Sequence, residues 1–252
     1  MKIDLIMASG RETPPDFTGK TVVVIDVLRA TSTILTALAG DCPEVIPVVE
    51  PEEAFALAAG RGRDRCLLGG ERKGIKIPGF DLGNSPAEYK REVVSGKTIL
   101  LCTSNGTAAL QEAQSGAKVL IGAFLNMSRL TSYLKQVAGE VVLFCAGKDG
   151  ELALEDLLCA GMLVDNLVFA AKREPVVELT DTARVAMVAC RHMAAGKGAV
   201  VALAQTEHGR YLSSLGFSGD LRYCGQVDFL SLLAVFDQGR IVLKQKDEPD
   251  SP

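Results

Sequence analysis

The chain is short of histidine, of basic excess and of long apolar runs, and each shortage removes a class of function. His192 and His208 are the only two histidines in 252 residues. A three-histidine zinc site therefore cannot form within one chain, and a phosphohistidine mechanism has few candidates. No stretch reaches the roughly 18 uncharged apolar residues of a membrane span. The apolar run near the N-terminus is too short, and is interrupted by a charge, for a secretory signal. Seven cysteines, an odd number, form no CxxC or other paired zinc spacing. Several lie in apolar runs, as small buried hydrophobes do, which reads as a reducing compartment. Lys and Arg number 27 against 31 Asp and Glu, a net charge of −4, so no electrostatic footprint for nucleic acid or an anionic membrane stands out. A soluble, cytoplasmic protein is expected, with neither nucleic acid nor membrane as a partner.

What is present is ordinary globular composition, 48% hydrophobic and 23% charged. At this length a chain buries roughly 70–75% of its unfolded surface, so folding needs no disulfide or metal. Runs of strand length recur with helical stretches between them. Lys2–Met7, Thr21–Asp26, Glu44–Val49, Arg65–Leu68, Lys97–Cys102, Lys118–Ala123 and Glu140–Ala146 read as strands. Thr31–Ala39, Glu52–Ala59, a capping box at Ser85-Pro86-Ala87-Glu88 running to about Val94, Thr107–Gln114 and Leu154–Ala170 read as helices. This alternation predicts an α/β fold, a mostly parallel sheet covered by helices on both faces. Beyond Pro175 the pattern changes to two helices, Thr180–Ala195 and Ala199–Ser214, and a β-hairpin, Leu230–Phe236 with Arg240–Leu243. The expectation is one domain over residues 1–252, or two lobes dividing near 170–180, with a frayed tail at 246–252.

In open α/β sheets ligands bind beyond the carboxyl ends of the strands, and the unusual residues cluster there. Asp26 ends a buried strand and Arg29 follows it; a cation and an anion are their respective partners, unless Asp26 and Ser32 only cap the next helix. Ser104-Asn105-Gly106-Thr107 forms a strand–turn–helix junction whose free N–H groups suit a phosphate or sulfonate, although such a turn is often only a turn. Glu155 and Asp156 stand near a helix start, where they either complement the dipole or bind Mg²⁺. The loop Gly70–Asn84 carries glycines and charges too densely for a simple connector. Within it, Arg72 and Lys76 could bind anionic groups, and Glu71 and Asp81 could bind metal or orient those bases. Asn126 can cap the helix that follows it.

Several mechanisms are excluded. A cysteine-phosphatase loop needs Arg six positions after Cys102, where Ala108 stands. A haloacid-dehalogenase pattern needs Asp at Leu28. No P-loop, no GxGxxG after a strand and no GxSxG elbow occurs. Carboxylates and anion donors on one sheet edge suit metal-assisted chemistry on a small, highly anionic substrate.

Four segments, VVVIDVLRATSTI (Val22–Ile34), GGERKGIKIPGFDLGNSPAEY (Gly69–Tyr89), LCTSNGTAAL (Leu101–Leu110) and CAGKDGELALEDLLCAG (Cys145–Gly161), resemble the 2-phosphosulfolactate phosphatase family in order and spacing. Asp220–Asp228 is similar to the family's ending. The resemblance implies a Mg²⁺-dependent phosphatase of coenzyme M biosynthesis, converting 2-phospho-3-sulfolactate to 3-sulfolactate and phosphate, an α/β fold peculiar to the family, and a homodimer. The implied site has Asp26, Arg29, Arg72 and Asn84 as catalytic residues. Lys76, Ser104, Asn105, Gly106, Thr107 and Asn126 bind substrate, and some of Asp26, Glu71, Asp81, Glu155 and Asp156 hold Mg²⁺. Asp26 is the first choice to activate water, with covalent routes through Asp26, Ser104 or Cys102 open. The alternatives are another small anionic phosphate ester as substrate, or a non-catalytic binding module for anionic metabolites. His208, in EHGRY, lies outside the motifs and reads as structural or surface.

Overall fold

A computed structural model describes residues 1–10, 12–170, 177–194 and 198–244. The expected tail at 246–252, and residues 171–176 of the expected lobe boundary, lie outside the described residues. In chain order the elements are β1 (Lys2–Ile6), β2 (Thr21–Ile25), α1 (Ala30–Ala39), β3 (Val45–Val48), α2 (Pro51–Arg61), β4 (Cys66–Arg72), β5 (Ile75–Lys76), α3 (Arg91–Val94), β6 (Thr98–Cys102), α4 (Gly106–Glu112), β7 (Lys118–Gly122), α5 (Met127–Leu134), β8 (Glu140–Cys145), α6 (Leu154–Ala170), β9 (Glu178–Leu179), α7 (Asp181–Ala194), α8 (Gly198–Gln205), α9 (Glu207–Ser214), α10 (Ser218–Cys224), β10 (Ala234–Asp237) and β11 (Arg240–Leu243).

The strands join in the order β5-β4-β6-β3-β11-β10-β7-β2-β8-β1-β9. Pairings within β4-β6-β3 and within β7-β2-β8-β1-β9 are parallel, as the strand–helix alternation requires. The C-terminal hairpin sits between these two parallel groups. β10 pairs antiparallel with β7, and β11 with β3. Its turn residues Gln238 and Gly239 both have positive φ, 47° and 78°, the two-residue geometry that matches strand twist.

The β-branched runs are buried on both faces because each face carries its own core. Val23 and Ile25 of β2 pack with Leu143, Leu158 and Val164, while Val22 and Val24 pack with Phe144, Ile34 and Leu110. This is the two-residue alternation of a strand divided between two helical layers. α1 touches both β3 and β7, and α4 touches both β2 and β3, so these helices bridge the two parallel groups and draw the ends of β2 and β6 together.

Four local expectations change. Ser85–Val94 is not one helix: the Ser85 hydroxyl donates to Asp220 Oδ1 (2.6 Å), and Glu88 accepts the Gly83 N–H (2.8 Å). With both capping groups diverted, only a 3₁₀ turn at Pro86–Glu88 and the single turn α3 form. Ala199–Ser214 is broken in two, because Thr206 adopts extended backbone and its hydroxyl accepts the Gly209 N–H to start α9. The strand expected to end at Leu68 continues to Arg72 and turns back as β5, so part of the long loop is a hairpin. Asn126 does not cap α5 with its side chain; its amide instead accepts from Ala123 N–H and donates to the Ile121 carbonyl. Among the described residues no helix is long and apolar enough to cross a membrane.

The buried Thr206 hydroxyl also donates to the Leu203 carbonyl at 3.0 Å. Thr206→Val keeps the volume and removes both bonds, so it should lower unfolding free energy by about 1–2 kcal/mol. Urea denaturation checks this, and an unchanged midpoint would mean the break between α8 and α9 does not depend on the cap.

Candidate active site

A cavity of about 260 Å³ opens beyond the carboxyl ends of β2, β4, β6 and β8. Asp26 and Arg29 enter from the β2–α1 connection, Glu71, Lys73 and Gly74 from the β4–β5 hairpin, and Asn84 from the segment that follows. Ser104 and Asn105 come from the β6–α4 turn, Lys148 and Asp149 from the loop after β8, and His208 and Tyr211 from α9.

Asp26 is buried. Its Oδ1 accepts the Ala30 N–H at 3.2 Å, and no hydrogen bond reaches Oδ2 from the described residues. A side chain on Gly106 would place Cβ 2.5 Å from that Oδ2, so glycine is needed for the ends of β2 and β6 to meet here. Burial pushes the Asp26 carboxyl up to about 6, and the nearby carboxylates of Glu71 and Glu155 add to the rise, while the Ala30 N–H and His208 oppose it.

Four carboxylates crowd this edge, and the structure gives each a different partner. Glu71 accepts the Ser104 N–H (2.9 Å) and the Gly74 N–H (2.6 Å), which fastens the hairpin to the β6–α4 turn. Asp156 accepts the Val27 N–H (2.8 Å) and the Gly147 N–H (3.2 Å), joining the ends of β2 and β8. Burial beside Asp26 and Glu155 raises its carboxyl well above the usual range. Glu155, also buried, meets His208 Nδ1 at 3.0 Å. Asp26 alone keeps an unengaged oxygen facing the cavity.

Arg29 is buried and doubly held. One amino group donates to Asp220 Oδ2 (2.8 Å), the other to the Gly74 carbonyl (2.9 Å), and the guanidinium lies 4.3 Å above the Phe217 ring. Lys73 and Asp149, both lining the cavity, adopt left-handed backbone with φ of 52°. That conformation costs a non-glycine residue roughly 1 kcal/mol or more and clusters at functional sites. The Tyr211 hydroxyl donates to the Lys73 carbonyl at 3.0 Å, so α9 braces the turn that presents this lysine. Lys148 bridges to Glu207 at 2.9 Å.

Of the residues singled out from sequence, Asp26, Arg29, Glu71, Asn84, Ser104 and Asn105 meet at the cavity. Gly106 packs against Asp26 directly behind it. Thr107 is turned inward, its N–H and hydroxyl both bonded to Thr103. Arg72 points away, donating to the Val49 carbonyl and to Cys102 Sγ; it neighbours Glu71 on β4, and adjacent strand residues face opposite ways. Lys76 is exposed and reaches the Asp81 carbonyl at 3.4 Å. Asp81 is occupied by a two-pronged bond to Arg63 and by the Leu68 N–H. Asn126 is fully buried elsewhere. Cys102 does not line the cavity, and burial raises its thiol despite Arg72 beside it.

Sequence reasoning missed Lys73, Lys148, Tyr211 and His208. The first two had a signal: Lys73 lies in the glycine-dense loop and Lys148 in the loop after β8. Nothing local marked Tyr211 or His208, since their place depends on where α9 docks.

Among the described residues no three His, Cys, Asp or Glu side chains converge into a metal cage. Mg²⁺ does not need one; one or two carboxylates, an amide oxygen, waters and phosphate oxygens suffice. The chemistry of the lining meets that need. Asn84 Oδ1 is buried with no hydrogen-bond partner, an uncommon state for a buried acceptor, and Glu71 adds carboxylate oxygens on the same cavity.

The model of the 2-phosphosulpholactate phosphatase family matches residues 8–239. A probable 2-phosphosulfolactate phosphatase of Clostridium perfringens (strain 13 / Type A) is 39% identical over 96% of this chain and 96% of its own length. One of Clostridium tetani (strain Massachusetts / E88) is 38% identical over 96% and 100%. One of Symbiobacterium thermophilum is 39% identical over 91% and 97%. The chain belongs to the 2-phosphosulpholactate phosphatase family, whose named activity is the hydrolysis of a phosphoric monoester.

Proposed function

We propose that the protein hydrolyses 2-phosphosulfolactate to sulfolactate and inorganic phosphate, with Mg²⁺ as its cofactor. The observation that carries the reading is the charge layout of the cavity: a buried acid poised near neutrality, Asp26, shares its lining with Arg29, Lys73 and Lys148. The relatives' names supply the substrate. A three-carbon ester bearing phosphate, sulfonate and carboxylate needs several cations around it, and a cavity of about 260 Å³ suits so small a ligand.

Asp26 accepts the proton of the attacking water through its unengaged Oδ2. A carboxyl raised to about 6 is a base suited to near-neutral pH. Arg29, fixed by Asp220, offers a rigid guanidinium to one anionic group. Lys73 and Lys148 receive the others from opposite loops. Glu71 and Asn84 would hold Mg²⁺, which supplies neutralisation of the charge on the transferring phosphoryl group. The place in coenzyme M biosynthesis, a homodimeric assembly and a cytoplasmic location complete the proposal, supported by the family resemblance and by the seven unpaired cysteines.

Phosphate release should be faster from 2-phosphosulfolactate than from a panel of other 2-phospho acids, lost in EDTA and restored by Mg²⁺. Full activity in the chelator would remove the metal from the reaction, and an equal rate across the panel would remove the assigned substrate. Lys73→Ala should raise KM about tenfold, the loss of one close charge contact, while Lys76→Ala should leave it unchanged; the reverse pattern would place the anion site at Lys76.

The wild-type rate should fall on the acidic side of about pH 6, and Asp26→Asn should lower kcat at least about 100-fold and abolish that limb. Turnover close to normal would exclude Asp26 as the base. The same substitution should stabilise the fold. Asp26 ionises at 3.8 in the unfolded chain and at about 6 in the folded one. Keeping it charged is therefore a destabilising contribution, absent below pH 3.8, growing between the two values and complete above about 6. The two-unit rise corresponds to at most about 3 kcal/mol. Chemical denaturation without added metal should show a gain of that sign for Asp26→Asn at pH 7 and its disappearance by about pH 4.

A further inference from the structure

We propose that His208 donates the proton to the departing ester oxygen, with Glu155 as its positioning residue; this deepens the phosphatase reading and rests on it. The alkoxide of a 2-hydroxy acid is a poor leaving group, so breaking its bond to phosphorus calls for a positioned acid. Asp26, as the base, cannot fill that role in the same step. Of the other groups on the cavity wall, Lys73 and Lys148 receive the anionic groups of the substrate, and the Tyr211 hydroxyl is engaged by the Lys73 carbonyl.

His208 is built for the task. It stands in the first turn of α9, whose start is set by the buried Thr206 cap, and its ring lines the cavity beside Asp26. Its Nδ1 lies 3.0 Å from Glu155 Oε1, and the side chains are 20% and 3% exposed. A carboxylate that buried requires a donor, and His208 is the only hydrogen-bond partner of Glu155 among the described residues. Glu155 thereby fixes Nδ1 as the donor to itself and leaves Nε2 for a ligand, the arrangement by which a carboxylate orients a catalytic imidazole. The Tyr211 ring flanks the imidazole, 27° from parallel at 6.4 Å.

The step balances. The water oxygen bonds to phosphorus, and one water proton passes to Asp26 Oδ2. The bond between phosphorus and the ester oxygen breaks, with its electron pair going to that oxygen, which takes the Nε2 proton. Asp26 then returns its proton to His208 through water, restoring both groups.

The test compares 2-phosphosulfolactate with its analogue carrying sulfur in place of the bridging oxygen, because a thiolate leaves without a proton. His208→Gln should lower kcat on the oxygen ester about 100-fold with KM little changed, and lower it no more than about threefold on the sulfur ester. Glu155→Gln should show the same contrast, and His192→Gln, at an exposed position of α7, should change neither rate. An equal loss on both esters, or no loss on the oxygen ester, overturns the proposal. A second measurement needs no variant and no turnover. In ¹⁵N-imidazole spectra of the wild-type protein, inorganic phosphate should move the His208 signals and leave those of His192; unmoved His208 signals also overturn it. Wild-type protein that releases no phosphate from either ester refutes the substrate assignment instead, and the phosphate titration still decides whether His208 faces the phosphate.

Discussion

The buried pair of Arg29 with Asp220 ties together the chain segments on which the cavity depends. Arg29 follows β2, Asp220 belongs to α10 near the end of the chain, Ser85 donates to the same carboxylate, and the Gly74 carbonyl takes the second amino group of the arginine. The two charges are deeply buried, and removing either partner leaves an uncompensated charge costing roughly 3–5 kcal/mol. The pair therefore fixes more than a side chain. It holds the C-terminal helices against the β2 end and brings α9, with Tyr211 and His208, to the open side of the β4–β5 turn.

Around that anchor the site sorts its carboxylates by partner. Glu71 is held by backbone N–H groups of two loops, Asp156 by those of two strand ends, and Glu155 by a histidine. Asp26 has one N–H and one bare oxygen. Burial makes charge expensive at Asp26 and Asp156, and of these two only Asp26 lines the cavity. Burial first, with the like charges of Glu71 and Glu155 adding to it, keeps this carboxyl close to neutrality as a base.

The sheet was legible in sequence because buried parallel strands carry a strong signal. TVVVI, TILLC and EVVLFC are apolar at every position after the first, since helices cover both faces. The end of the β2 strand also announced itself through Asp26 and Arg29. Side-chain direction was harder to read. Arg72 and Lys73 are neighbours in a loop rich in glycine, and either could have been the anion donor. Arg72 turns to Val49 and Cys102 while Lys73 occupies the left-handed turn at the cavity. Ser85 and Glu88 have the pattern of a capping box, yet more distant partners, Asp220 and Gly83, claimed both side chains.

Composition and local pattern by themselves determined an α/β chain with a parallel sheet, the strand ends at which chemistry gathers, and a family whose motifs stand in order. These are consequences of periodicity and of short-range backbone needs, which neighbouring residues encode. Only the tertiary structure decided that the C-terminal hairpin joins two parallel groups of strands, that Lys73 and Lys148 rather than Arg72 and Lys76 line the cavity, and that His208 stands beside Asp26. Each of these depends on residues far apart in the chain meeting across a packed interface, such as Glu155 with His208 or Arg29 with Asp220, and no local spacing records which distant partner satisfies a buried charge.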